Sequence, residues 1–250
     1  MKPTPVKIKG TGRDLLLIHG SGADHRTWSL QLATLAAHFR VIAYDRHDIA
    51  GLRDSLADQA DDAAEILASH ASAPALVCGS SFGGVIALEL CRRRPDLVLG
   101  MIACEPPISP SDAIAPAPIG FGCHFEGVRL LSSGERAAEM FLRAVLGSPA
   151  FDAMSPAWQR LTCEKWREIR ADITALSGYS PGYHRLAEIA TPALLVTGEK
   201  SPPIYRLTME VLTAALANAE MKVIAGAGHM MHAEAHRTFN RAVRAFSERL

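Results

Sequence analysis

Residues Ala75-Leu76-Val77-Cys78-Gly79-Ser80-Ser81-Phe82-Gly83 run from an apolar stretch into a G-x-S-x-G turn, and a helical pattern follows to Arg93 before Pro95. Strand, tight turn and helix succeed one another within twenty residues. A serine on so sharp a turn needs small neighbours, and Gly79 and Gly83 remove the side chains that would clash with it. Its hydroxyl is then held at the carboxyl edge of a sheet and the N-terminus of a helix, where the dipole and free amides favour negative charge. Five letters alone describe an ordinary turn serine just as well, so the reading depends on the surrounding chain.

Outward from this turn, short apolar runs alternate with helical patterns. Strands are predicted at 15–18, 41–44, 75–78, 97–104, 193–197 and 223–224, with helices at 28–39, 54–70, 82–93, 204–217 and 234–250. Runs of leucine and β-branched residues without polar alternation imply strands buried on both faces, and the helices between them imply crossovers in a parallel sheet. The predicted fold class is therefore α/β, with a mostly parallel central sheet flanked by helices. Ligands bind such sheets at the carboxyl ends of the strands. His19, Ser81, Glu105, Gly198 and His229 all fall there. Between 106 and 190 the alternation stops. Prolines and glycines crowd 106–127, and helical patterns follow at 135–146 and 156–176. An insertion of roughly 80 residues is too long for an ordinary loop. The division expected is a core of 1–105 and 191–250 with a helical cap over 106–190.

Composition narrows the function classes. The 250 residues are 48% hydrophobic, and 26 Lys plus Arg balance 26 Asp plus Glu. With no charged block, neither nucleic acid nor an anionic membrane surface is an expected partner. Residues 1–5 lack the apolar core of a signal peptide, and no run approaches the ~20 apolar residues of a membrane span, so a cytoplasmic protein is expected. Five scattered cysteines, none in a C-x-x-C pair, suggest neither metal nor disulfide. There is no P-loop and no convincing dinucleotide fingerprint. No cofactor or metal is expected, and the expected partner is a small-molecule substrate, with the protein a monomer or homodimer.

Strand, Ser81 turn, downstream acid and His229, in that order, resemble the α/β-hydrolase superfamily. His19-Gly20-Ser21-Gly22 resembles its oxyanion loop, Gly79–Gly83 its nucleophile elbow, and Gly228-His229 the segment carrying its base. The resemblance implies Ser81 as nucleophile and His229 as the base that takes its proton and returns it to the leaving group. It implies the backbone amides of Phe82 and Ser21, or Gly22, as oxyanion donors. His19 reads as a residue that shapes the loop.

The acid is less direct. Members of the superfamily commonly carry aspartate as G-x-x-D after the strand at 193–197. This chain reads Gly198-Glu199-Lys200-Ser201, and Ser201 cannot carry the charge. Glu105, at the end of the preceding strand, is the first candidate. A bacterial subgroup with E-P-P there and G-E-x-S-P-P later is similar to Glu105-Pro106-Pro107 and to 198–203. Glu199 is the alternative, and an acid elsewhere, or none, stays open.

These readings imply a serine hydrolase that cleaves a carboxylic ester or lactone of a small, fairly apolar substrate through an acyl-enzyme. The same machinery also serves carbon–carbon hydrolysis, perhydrolysis, thioester release or a lyase or cyclase step, and a non-catalytic ligand-binding homologue is a further alternative. Other residues have blander readings. His232 and His236 are expected to be solvated or helix-capping. Trp158 and Trp166 are expected in the cap core, Asp45-Arg46 as loop scaffolding, and Arg92–Arg94 as a solvated helix end. Tyr179, Tyr183 and Tyr205 are read as pocket-lining or loop-anchoring.

Overall fold

The computed structural model describes residues 5–46, 55–113 and 134–250. In chain order the elements are β1 (Val6–Lys9), β2 (Asp14–Ile18), α1 (Ser29–Thr34), β3 (Arg40–Tyr44), α2 (Leu56–His70), β4 (Ala75–Ser80), α3 (Phe82–Arg93) and β5 (Val98–Cys104). Five helices follow: α4 (Glu135–Leu146), α5 (Ser148–Asp152), α6 (Pro156–Glu164), α7 (Trp166–Ser177) and α8 (Tyr183–Ala187). The chain then returns to the sheet with β6 (Ala193–Gly198), α9 (Pro203–Ala215), β7 (Ala219–Ile224), α10 (Met231–Glu234) and α11 (His236–Ser247). The strand order is β1-β3-β2-β4-β5-β6-β7. Only β1 runs antiparallel to its neighbour, β3; the remaining pairs are parallel.

The uninterrupted apolar runs explain the layering. Every residue of β2, β4 and β6 is buried, as a sheet covered on both faces requires. One face packs against α2, α3 and α9 through Leu16, Ile42, Val77, Ala103 and Leu195. The other packs against Trp28, Phe239, Val243 and Phe246 through Leu15, Val41, Cys78, Ile102 and Val196. Helix α2 starts where the Ser55 hydroxyl accepts the Asp58 amide, a serine N-cap, and buries Leu56, Ala60, Ala63, Ala64 and Leu67. A third apolar cluster joins Phe141, Leu142 and Val145 of α4 to Phe151, Ile169, Ile173 and Tyr205.

Some elements differ from the sequence reading. Strand β1 carries no apolar run: its exposed Lys7, Ile8 and Lys9 form an edge, so burial left no signature in the sequence. The helix expected over 28–39 is split, with 3-10 turns on either side of α1. The pattern at 156–176 breaks at Lys165, which caps both α6 and α7. Trp158 is not in a core. It is 38% exposed, with the Arg26 guanidinium 5.4 Å from its ring centre, whereas Trp166 packs against the third cluster. Arg92, Arg93 and Arg94 are each paired, with Glu89, Asp61 and Asp96. Most of the Pro/Gly-rich stretch, from 114 on, lies outside the described residues. No helix among them is long and apolar enough to cross a membrane.

Candidate active site

Ser81 sits between β4 and α3 with φ 53° and ψ −122°. A residue with a side chain adopts this conformation only at a cost of about 1–3 kcal/mol. The turn is tight enough that a Cβ on Gly79 would stand 2.1 Å from the Gly83 carbonyl oxygen, and one on Gly83 2.3 Å from that of Ile18. The Ser81 amide donates to the Cys104 carbonyl at 2.7 Å, which ties the turn to β5. As first residue of α3, Phe82 has no intrahelical acceptor for its amide.

The only other non-glycine residue with positive φ among the described residues is Glu105, at 45°. The β5–β6 register pairs Cys104 with Val196, so Glu105 emerges beside Thr197. Its carboxylate is fully buried. One oxygen accepts the Thr197 hydroxyl at 2.6 Å and the Gly198 amide at 2.8 Å, and the other lies 2.5 Å from His229 Nδ1. Burial works against the charged form. The hydrogen bond and charge of His229, with smaller help from Ser201 and Thr197, outweigh it and hold Glu105 below the usual carboxylate range. Ser201 faces this carboxylate, but its buried hydroxyl makes no hydrogen bond of good geometry.

His229 is 2% exposed. With Nδ1 on Glu105, its buried Nε2 makes no hydrogen bond among the described residues, and His229 lines a cavity with Ser81. The Tyr205 ring stacks on the imidazole, with centres 4.5 Å apart and planes at 29°. The structure thus brings Glu105 to His229 and places Ser81 on the same cavity, without a hydrogen bond from the serine to Nε2. Glu199 is elsewhere: its carboxylate accepts the Gly226 amide at 2.7 Å.

The loop after β2 completes the rim. His19 accepts the Arg46 amide on Nε2 at 3.2 Å and contacts the Gly20 carbonyl through Nδ1 at 2.9 Å. Both ring nitrogens are therefore engaged within the scaffold. Ser21, Ser81 and Phe82 line one crevice. The adjoining cavity, about 70 Å³, is walled by Phe141, Leu142, Val145 and Met154. Asp24, His25 and Asp45 bring possible ligand atoms within 4.8 Å of one another. These atoms are taken, Asp24 by Arg26 and His25 by Asp45, an arrangement that needs no ion.

His232 corrects an expectation. It is 1% exposed, its ring 4.4 Å from that of Trp28, with Nε2 3.2 Å from the Thr27 hydroxyl. Burial, then the charge of His229, lowers its pKa to about 3. Burial and the Arg46 charge likewise push His19 well below the ordinary range. A depressed histidine pKa contributes stability that is complete above the unfolded value of about 6.5 and is lost as pH falls toward the folded value. The expected result is a steep acid limb: below pH 6, unfolding takes up two protons through these histidines, about 2–3 kcal/mol per pH unit. Denaturant midpoints measured from pH 7 to 4 check this, and His232→Gln should remove about one proton from the slope.

The chain shares sequence and fold with known proteins. Over 94 residues, 37% of each chain, it is 39% identical to a pimeloyl-[acyl-carrier protein] methyl ester esterase of Sodalis glossinidius. It is 25% identical to the (E)-2-((N-methylformamido)methylene)succinate hydrolase of Acinetobacter baylyi, over 96% of this chain and 92% of the other. The crystal structure of the enol-lactonase from Burkholderia xenovorans superposes with a TM-score of 0.79 at 18% identity, covering 98% of this chain and 96% of that one. The chain's matches to two of its curated relatives span only about two fifths of those proteins. The Alpha/beta hydrolase family is matched over residues 15–242, nearly the whole described sheet with its flanking helices, and the chain belongs to that family.

Proposed function

We propose that the protein is a serine hydrolase that cleaves a carboxylic ester or lactone of a small, fairly apolar substrate. The observation that carries this reading is the buried 2.5 Å contact between Glu105 and His229 Nδ1, on the rim that also holds the strained Ser81. In the reading, Glu105 fixes the imidazole so that Nε2 faces the cavity. Nε2 takes the Ser81 proton as the hydroxyl oxygen attacks the carbonyl carbon. The amides of Phe82 and Ser21, or Gly22, receive the oxyanion. The protonated imidazole then hands its proton to the leaving alkoxide, leaving an acyl-enzyme that water, activated by the same nitrogen, hydrolyses. Helices from the 106–190 insertion act as a cap, their apolar walls taking the acyl group. The names of the relatives, a methyl ester esterase and an enol-lactonase among them, support the reaction class.

A fluorophosphonate probe tests the nucleophile: mass spectrometry should find the adduct on Ser81 of the folded protein. A panel of aryl esters, lactones and acyl thioesters then ranks the substrates. Absence of labelling would sink the hydrolase reading. In the same framework the Tyr205 ring stabilises the imidazolium that forms during acylation, through its π face. Tyr205→Leu should lower kcat about fivefold, the equivalent of about 1 kcal/mol, while Tyr205→Phe should keep it; steady-state kinetics on the best ester reads the difference.

A further inference from the structure

We infer that Asp172, on α7, is a positioning residue that holds the Gly20–Gly22 loop to the helices above it. One carboxylate oxygen accepts the Ser21 hydroxyl at 2.7 Å and Arg46 Nη2 at 2.7 Å. The other accepts Arg46 Nη1 at 3.0 Å and Gln59 Nε2 at 3.1 Å. Arg46 Nη2 also donates to the Gly20 carbonyl at 3.2 Å, and the guanidinium lies 5.1 Å from the centre of the Phe82 ring. Both charges are buried, with 2% and 1% side-chain exposure. One ion pair thus touches the Gly20 carbonyl, the Ser21 hydroxyl and the Phe82 ring together, around the amides of Phe82 and Ser21, or Gly22, that the proposed function uses for the oxyanion.

The same face of α7 makes a second contact. Ile169, one turn before Asp172 and so on its side of the helix, packs on Gly22, which has φ +70°; a Cβ at Gly22 would lie 3.1 Å from Ile169 Cδ1. An apolar contact and a carboxylate from one helix therefore grip consecutive loop residues. A buried ion pair is weak evidence for stability, since well-packed apolar residues of similar volume often do as well. An apolar pair could not direct the Ser21 hydroxyl and the Gly20 carbonyl. The assigned role is therefore to orient the loop, and the insertion takes part in building the oxyanion site as well as covering it.

This role rests on the hydrolase reading only in its kinetic arm. Ser21→Ala removes one bond and leaves the ion pair. It should lower kcat about tenfold with KM within twofold, and weaken inhibition by an aryl trifluoromethyl ketone, a transition-state mimic, by a similar factor. Asp172→Leu alone strands Arg46 and can fail to fold, so it is combined with Arg46→Met, which replaces the pair by apolar groups. The double variant should show the same or a larger kinetic loss. Hydrogen exchange of the amides in 20–23 should quicken in both variants while the β4 amides stay protected. Unchanged exchange overturns the inference, and so does faster exchange with full kcat and unchanged ketone inhibition. If the wild-type protein neither reacts with fluorophosphonate nor hydrolyses any ester, the hydrolase reading falls, and exchange alone judges whether Asp172 holds the loop.

Discussion

Glu105→Gln is expected to cut kcat by about 10³–10⁴, the range for losing a triad acid, while Glu199→Gln stays within about threefold of the parent. The loss follows from the tautomer of the His229 imidazole. Glu105 offers two acceptor oxygens, one occupied by Thr197 and Gly198 and the other by His229 Nδ1. Glutamine keeps one acceptor and adds a donor. The acceptor stays with the Thr197 hydroxyl and Gly198 amide, so the NH₂ group turns toward Nδ1 and selects the ring form with its proton on Nε2. That form cannot take a proton from Ser81. Among the described residues the Glu199 carboxylate hydrogen-bonds only the Gly226 amide, and its loss leaves the imidazole untouched. Steady-state kinetics on one ester, with both variants shown to be folded, decides between them. A full loss in Glu199→Gln with none in Glu105→Gln would reverse the assignment.

The second large effect concerns Ser81 and joins activity to stability. Ser81→Gly should abolish turnover, by about 10⁴-fold or more, and yet raise the unfolding free energy by about 1 kcal/mol. The serine occupies φ 53°, ψ −122°, where a Cβ costs about 1–3 kcal/mol and glycine costs nothing steric. Against this, glycine loses more backbone freedom on folding, by roughly 0.5–1 kcal/mol. Ser81→Ala keeps the Cβ and should be inactive with little gain in stability. Paired denaturant titrations and activity assays on the two variants separate strain from chemistry. Equal stability in all three proteins would show that the elbow stores no usable strain.

How far the chain could be read in advance depended on what left a periodic or chemical trace. The strands buried on both faces were legible, because double-sided burial demands the runs at Leu15–Ile18 and Ala193–Val196. Edge strand β1, with three of its four residues exposed, left none. Ser81, Glu105 and His229 stand out because special turns and strand ends confine them to few residue types, and Glu105 gained weight from the serine at position 201. That Glu105 lies beside Thr197 depends on the register of β5 and β6, which no local pattern encodes. Asp172 was invisible for another reason. An aspartate on an amphipathic helix reads as a solvent-facing group until the tertiary fold brings Arg46, Gln59 and Ser21 to it. The burial of His232 likewise comes from Trp28, more than two hundred residues away in sequence.

The two strained residues sit one residue beyond a hydrogen-bonded register pair, Ser80 with Cys104, on adjacent parallel strands. The distance between proposed nucleophile and proposed acid is therefore set by the ladder spacing of a sheet, one of the least deformable lengths in a protein. His229 alone rides on a connection, between β7 and α10. Mechanically, the site has two posts fixed by the sheet and one arm carried by a loop. The position of the imidazole relative to the two posts is therefore adjusted through residues 225–230, independently of the sheet spacing that holds Ser81 and Glu105.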